Sequence, residues 1–321
     1  MFETKITEMF GIKYPIIGGN MMWISNADFV AAVSNAGGLG ILNSIMHPTK
    51  EEFASAIDRV RELTDKPFAV NLNFFPARFP VPQKQYVDIM AEKGVNIVET
   101  SGPALQEDLC RSLKDMGMIW IHKCVAVRHA LKVQEMGADI VTVVGYENGG
   151  AVGMLEIGTL VLVPTVVNAL NIPVIGGGGV SDGRGLAALL TLGAQGVIMG
   201  TRLLLTQECP IHDNLKQSLR NATEVDTMLI MRSLGAAHRV WSNKAAYKCA
   251  ELDKSGEDPE EIINIAAGEN ARRMYTTGDL DCGTVSCGQG VGLAKDIVSV
   301  QELFDRIIRE AEETVTGLAK S

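Results

Sequence analysis

Val174-Ile175-Gly176-Gly177-Gly178-Gly179-Val180-Ser181-Asp182-Gly183-Arg184-Gly185 joins an apolar strand to a helix through a run of glycines, and Gly196-Val197-Ile198-Met199-Gly200-Thr201-Arg202 repeats the pattern one helix later. Successive glycines exceed what a turn needs and cost conformational entropy. Backbone N–H groups with no side chains in the way can close around a phosphate, and a helix N-terminus adds a favourable field. Two such strand ends in succession are how a (β/α)8 barrel builds its phosphate site, from the loops after its seventh and eighth strands. The stretch therefore predicts a phosphate held on Gly178, Gly179, Gly200 and Thr201.

Outward from it, apolar bursts alternate with amphipathic runs. Pro15–Gly19, Gly38–Asn43, Phe68–Asn73, Asn96–Thr100, Met118–His122, Asp139–Val144 and Pro173–Gly177 read as strands. Asn26–Ala36, Thr49–Leu63, Tyr86–Lys93, Leu105–Met116, Ala126–Met136 and a run near 159–170 read as helices, and 145–158 as a Gly-rich loop. Short apolar strands with short turns between helices argue for a parallel α/β sheet, and the number of alternations for a closed (β/α)8 TIM barrel. After Leu205 the rhythm stops. Residues 207–290 are polar, helix-prone and too long for a barrel loop, so they are expected to form an inserted, mostly helical lid. The barrel would comprise 1–206 plus 291–321, with Lys295–Leu318 returning as its eighth helix or packing in a homodimer.

Composition narrows the function classes. The chain has 321 residues, 46% of them hydrophobic, and a formal net charge of −9. It shows no basic stripe, which argues against nucleic-acid binding. No apolar run approaches the ~18 residues of a membrane span, and the charged start of the chain lacks a signal core. Its six cysteines are scattered without a zinc spacing, which fits a reducing cytoplasm. His47, His122, His129, His212 and His238 share no metal-ligand spacing and read as structural.

Active sites of such barrels lie at the C-terminal ends of the strands. The first strand ends in Gly18-Gly19-Asn20-Met21-Met22-Trp23, where a flat ring can approach the backbone and methionine sulfur can pack on it, or simply fill the core. Asn71 and Asn73 end the third strand; they either hydrogen-bond a heteroaromatic ring or cap the turn. Lys123, at the end of the fifth, can neutralise an anionic ring or phosphate, or form a Schiff base as in an aldolase. Of the acids near strand ends, Glu99, Asp139 and Glu147, only Glu147 lies in a loop built for a ligand. That loop reads Gly145-Tyr146-Glu147-Asn148-Gly149-Gly150-Ala151-Val152-Gly153. Phe74–Pro82 offers aromatics that could stack a flat substrate.

Taken as a series, these motifs resemble the FMN-dependent nitronate monooxygenase (2-nitropropane dioxygenase-like) family, which includes NAD(P)H:quinone reductases and an FMN-containing enoyl-ACP reductase. The resemblance runs from Pro15–Trp23 through Lys66–Leu72, His122–Leu131, the 145–153 loop, Gly178–Gly185 and Met199–Arg202 to Glu208–His212 and Leu229–Ser233. The His122–Leu131 segment is shared with the quinone reductase branch. The resemblance implies FMN with its phosphate on Gly178, Gly179, Gly200 and Thr201. It places the isoalloxazine over Asn20 and Met21, Lys123 near the pyrimidine, and Asn73 and Gly150 as further contacts. Met22 and Asn71 join that set from their strand-end positions. Two positions depart from the family. Asn20 stands where glycine is usual, and Ala151 occupies the place of the catalytic histidine. Alanine neither takes nor gives a proton. Proton abstraction from a neutral nitroalkane thus lacks its base, while oxidation of a preformed nitronate, or hydride transfer from NAD(P)H through FMN to a quinone or enone, needs none at that position. Tyr146 is a candidate acid, or packs on the rim. From other classes, a flavin-free phosphate-binding lyase using Lys123, or a flavin protein without turnover, would fit the bare motifs.

Overall fold

The computed structural model describes residues 2–74, 83–102, 104–256 and 258–320. Eight parallel strands form the central sheet: β1 (Ile16–Gly18), β2 (Gly40–Asn43), β3 (Phe68–Asn73), β4 (Ile97–Ser101), β5 (Ile119–Cys124), β6 (Ile140–Val144), β8 (Val174–Gly177) and β9 (Gly196–Met199). β7 (Gly150–Ala151) belongs to the loop after β6. The strand order β1-β9-β8-β6-β5-β4-β3-β2 closes on itself where Gly18 N–H donates to the Leu39 carbonyl at 2.9 Å and Leu39 N–H to Ile16 at 3.0 Å. The fold is a (β/α)8 TIM barrel.

Alternation along the strands sends Ile17, Leu39, Ile41, Ala69, Ile97, Ile121, Ile140, Val144, Ile175 and Ile198 into one interior cluster. β-branched residues dominate it because they pack well on a pleated surface. Ile6 and Phe10 of a short helix, α1 (Lys5–Phe10), join the same cluster and plug the lower end of the barrel. The outer helices are α2 (Ala27–Asn35), α3 (Lys50–Leu63), α4 (Gln83–Glu92), α5 (Glu107–Asp115), α6 (Val127–Glu135), α7 (Thr159–Ala169) and α8 (Gly183–Thr191). Their starts follow side-chain chemistry: Asn26 caps α2, Asp182 caps α8, and Thr49 with Glu52 forms a reciprocal capping box on α3.

Two boundaries differ from the sequence reading in ways that matter. β5 runs on to Cys124, so Lys123 lies within the strand, in register with Ser101 of β4 and Thr142 of β6. The segment after β9 carries α9 (Asp213–Asn221), α10 (Lys244–Ser255), α11 (Pro259–Ile265) and α12 (Gly268–Thr277), and also a hairpin of β10 (Thr227–Ile230) and β11 (His238–Trp241). β11 pairs antiparallel with β7, giving a three-stranded sheet that ties this segment to the loop after β6. A two-residue strand has too little period to be visible in a sequence. Finally α13 (Val300–Lys320) returns to the barrel, burying Leu303, Phe304, Ile307, Ile308 and Ala311. Among the described residues, no helix is long and apolar enough to cross a membrane, and all six cysteines are free.

Candidate active site

The glycine run forms a cradle at the top of β8. Gly178 and Gly179 adopt φ of +101° and +76°, which L side chains rarely reach. A Cβ on Gly178 would lie 2.6 Å from Thr159 Oγ1 and 3.0 Å from Gly145 N. The N–H groups of Gly178, Gly179 and Gly200 donate to no protein acceptor among the described residues. The three glycines border a cleft lined by Glu147 to Gly149, Gly178 to Ser181, Ile198 to Thr201, Gly288 and Gly290. Unpaired backbone donors on a glycine run just before a helix start are the kind of arrangement that can take an anion.

Gly288 and Gly290 were not singled out in the sequence, although Gly288-Gln289-Gly290-Val291-Gly292 is itself glycine-rich. Gly288 N–H donates to Thr201 Oγ1 at 2.9 Å, Gln289 N–H to the Glu147 carbonyl at 3.0 Å, and Ser181 Oγ to the Gly290 carbonyl at 2.7 Å. Any side chain at Gly288 would meet the Glu147 carbonyl at 2.5 Å. This segment seals one wall of the cleft.

Glu147 is a framework residue. Its carboxylate accepts from Thr159 N–H at 2.9 Å and Thr159 Oγ1 at 2.7 Å. It thus satisfies a donor at the start of α7, whose N-cap Gly158 has no side chain to do so. Tyr146 lies under the Arg239 guanidinium, 4.7 Å from its ring centroid, while Arg239 Nε donates to the Tyr146 carbonyl at 3.1 Å. That is the rim-packing placement. Asp139 is far from this chemistry, paired with Lys114 Nζ and accepting from Trp120 N–H at 2.8 Å.

Inside the barrel mouth, Asn71 and Glu99 face each other. Asn71 Nδ2 donates to Glu99 Oε2 at 2.7 Å and to Ser101 Oγ at 3.2 Å. Asn71 Oδ1 and Glu99 Oε1 are buried without a partner. Asn71 therefore caps no turn. Burial pushes the Glu99 carboxyl above the ordinary carboxylate range, while the Lys123 charge and the Asn71 bond pull it back down. Asn73 sits at the end of the same strand, its carbonyl accepting from Gln83 Nε2 at 3.2 Å.

At the end of β1, Asn20 Oδ1 is also buried without a partner. Met21 Sδ lies 3.7 Å from where a Cβ on Gly200 would stand, which joins the first and eighth strand ends. Met22 is not brought to them: it is 40% exposed and reaches toward Gly268 at the start of α12. Gly150, at φ +84°, and Ala151 form β7, with His238 directly opposite Ala151. The aromatics of Phe75–Pro82 lie outside the described residues. Among the described residues no group of His, Cys, Asp and Glu has a metal-binding arrangement.

The model of the family "NMO: Nitronate monooxygenase" matches residues 3–310. The chain belongs to the nitronate monooxygenase family. It is 32% identical, over 98% of both chains, to a (3aS,4S,5R,7aS)-5-hydroxy-7a-methyl-1-oxo-octahydro-1H-indene-4-carboxyl-CoA dehydrogenase of Rhodococcus jostii. It is 29% identical to a probable nitronate monooxygenase of Staphylococcus saprophyticus, over 97% of this chain and 98% of the relative. The structure of FabK from Thermotoga maritima matches 100% of this chain and 99% of its own at a TM-score of 0.92 and 34% identity. The family makes this chain an FMN-dependent oxidoreductase, which sets aside the flavin-free lyase reading of Lys123.

The residues present fit FMN. The cradle that a Cβ would fill at Gly178 suits its phosphate. Three buried polar atoms lacking partners, on Asn20, Asn71 and Glu99, lie at the strand ends where its polar ring would be read.

Proposed function

We propose that this chain takes hydride from NAD(P)H and delivers it, through FMN, to a quinone or an activated C=C acceptor. The observation that carries this reading is Ala151. A site otherwise equipped for FMN presents a methyl on β7, directly below the lid strand. Hydride transfer depends on holding donor and acceptor face to face rather than on a base at that position. FMN would supply the two-electron relay. The chain's own residues do the rest. Gly178, Gly179, Gly200 and Thr201 hold the phosphate. Asn20, Asn71, Asn73 and Lys123 orient the ring, with Met21 and Gly150 against it. Arg239, buried at 4% exposure, pins the lid strand to the rim through the Tyr146 carbonyl. The likeness to the Rhodococcus carboxyl-CoA dehydrogenase supports an acceptor activated by a carbonyl.

The test is anaerobic mixing of the purified holoprotein with NADH and with NADPH. The flavin absorbance is expected to bleach with at least one, and to return on adding a quinone or an enone. A flavin that neither nucleotide bleaches sinks the reading. A second reading, oxidation of a preformed nitronate by O2, is favoured by the family match across the chain. Oxygen uptake with an alkyl nitronate in the absence of any nicotinamide would select it.

A further inference from the structure

His238 stands where the lid meets the loop after β6. The β11–β7 register sets it directly opposite Ala151, with Arg239 opposite Gly150. Opposed residues of an antiparallel pair project to one face of the ribbon, their Cβ atoms about 5 Å apart. The His238 Cβ therefore shares a face with the Ala151 methyl. A Cβ on Gly150 would lie 3.7 Å from His238 Cε1 and 3.6 Å from Ser286 Oγ, so ring, hydroxyl and β7 backbone meet at one point. His238 Nε2 is 2.9 Å from Ser286 Oγ, and its Nδ1 has no hydrogen-bond partner among the described residues. Ser286 directly precedes Cys287-Gly288, so the hydroxyl is carried by the segment that walls the phosphate cleft. The ring keeps a solvent-accessible edge, yet protein crowds it closely enough to bring its pKa down to about 4. It rests neutral at physiological pH.

We propose that His238 and Ser286 form the proton relay of this active site, supplied by the lid instead of by the loop that carries Ala151; the proposal deepens, and rests on, the hydride-transfer reading above. With Ser286 Oγ–H donating to Nε2, the ring proton sits on Nδ1, the nitrogen free to face a substrate. For an enone, reduced FMN would supply the hydride, and with it both electrons, that the β-carbon gains. The α-carbon then takes the Nδ1 proton. As that N–H bond breaks, Nε2 takes the Ser286 proton, and Ser286 regains one from solvent. The acceptor gains one hydride and one proton, and the imidazole ends neutral as the other tautomer. Such a relay never requires the imidazolium, which the crowded site disfavours.

The test uses holoprotein whose flavin has been reduced by dithionite, so that it does not depend on NAD(P)H. Reoxidation is followed anaerobically with 2-cyclohexenone, which needs a proton on carbon, and with 1,4-benzoquinone, whose oxygens are protonated by water. In His238→Ala, the enone rate is expected to fall by roughly 10²-fold or more, the usual worth of a positioned acid. The quinone rate should stay within a few-fold, and added imidazole should restore part of the loss. His238→Gln, which keeps a polar side chain, should behave alike, and Ser286→Ala should fall by a smaller factor. An unchanged enone rate overturns the proposal. So does equal slowing with both acceptors, or loss of flavin in both His238 variants, because packing alone would produce either. If neither acceptor reoxidises the wild-type protein, the hydride-transfer reading fails. The relay is then decided by exchange of nitroethane α-protons with D2O on the oxidised holoprotein. Exchange lost in His238→Ala upholds it, and exchange absent or equal in both proteins overturns it.

Discussion

A carboxylate at position 99 is an expensive choice. Glu99 is 1% exposed, in a barrel whose interior cluster is apolar and rich in isoleucine, and its Oε1 has no protein partner among the described residues. Burial raises its pKa above the unfolded value of 4.5. Below pH 4.5 both folded and unfolded forms hold the proton, and the shift contributes nothing. Above it the unfolded chain loses a proton that the folded protein keeps, so stability falls as pH rises toward the folded pKa. Glu99→Gln keeps the shape and the Asn71 contact but cannot ionise. Its Tm should match wild type near pH 4 and exceed it increasingly toward pH 8, each kcal/mol appearing as about 2–4 °C. Equal Tm differences at both pH values would show that burial does not perturb Glu99. Glu99 and Asn71 show how much of the site can be read residue by residue. Asn71 was visible as a polar residue in an apolar burst. Its partner was not, because a strand-end acid gives no sign of pointing inward until register with β3 is known. His238 was read as structural for a similar reason: its neighbours Ala151 and Ser286 are remote in sequence.

Among the elements, the strand ends were the most legible, because a glycine loop is written in consecutive residues. Gly178, Gly179, Gly200 and Thr201 line the same cleft. The lid wall at Gly288–Gly290 escaped notice because its glycines gain meaning only beside Thr201. Gly178 and Gly200 hold equivalent places after β8 and β9, yet they should fail differently. Gly178→Ala forces a Cβ to 2.6 Å from Thr159 Oγ1 at a φ of +101°. It should destabilise the fold by about 1–3 kcal/mol and shed flavin. Gly200, with φ −120°, does not need the left-handed backbone, and its added Cβ would find nothing nearer than Met21 Sδ at 3.7 Å. Gly200→Ala should leave the Tm of the flavin-free protein unchanged but weaken FMN binding by about tenfold or more, read by flavin fluorescence titration. Parallel losses of stability in both variants would contradict a cleft that is open at Gly200 and closed at Gly178.

At the scale of the whole molecule, the chain leaves the barrel after β9, builds α9–α12 with the β10–β11 hairpin, and must come back to finish the outer ring of helices. The barrel and its returning helix were legible from their periods; how the return is locked was not. One lock is Arg202, 3% exposed along its side chain, which binds Asp296 Oδ1 at 2.5 Å and the Asp296 carbonyl at 3.2 Å, while Arg306 of α13 takes the other oxygen of the same carboxylate. The other is Gly183, the first residue of α8, where α13 crosses so closely that a Cβ would collide with Ala311 N and the Ile307 carbonyl. Gly183 N–H also donates to Glu310 Oε2 at 3.0 Å. α8 starts at Gly183, just after the glycine run that ends β8, so this crossing joins the end of the chain to the Val180-Ser181 wall of the cleft. Gly183→Ala should lower stability by about 3 kcal/mol, since the α13 backbone it would meet cannot be relieved by a rotamer change. It should also raise the FMN dissociation constant, because moving the start of α8 moves the Val180-Ser181 wall of the cleft. Gly185→Ala, whose Cβ would meet a Val180 methyl at 3.1 Å, should cost less on both counts. Thermal melts and flavin titrations of the two variants decide it. If Gly183→Ala melts like wild type, α13 does not clamp α8 in solution. If it melts early yet holds flavin as tightly, the clamp is confined to the outer ring and does not reach the cradle.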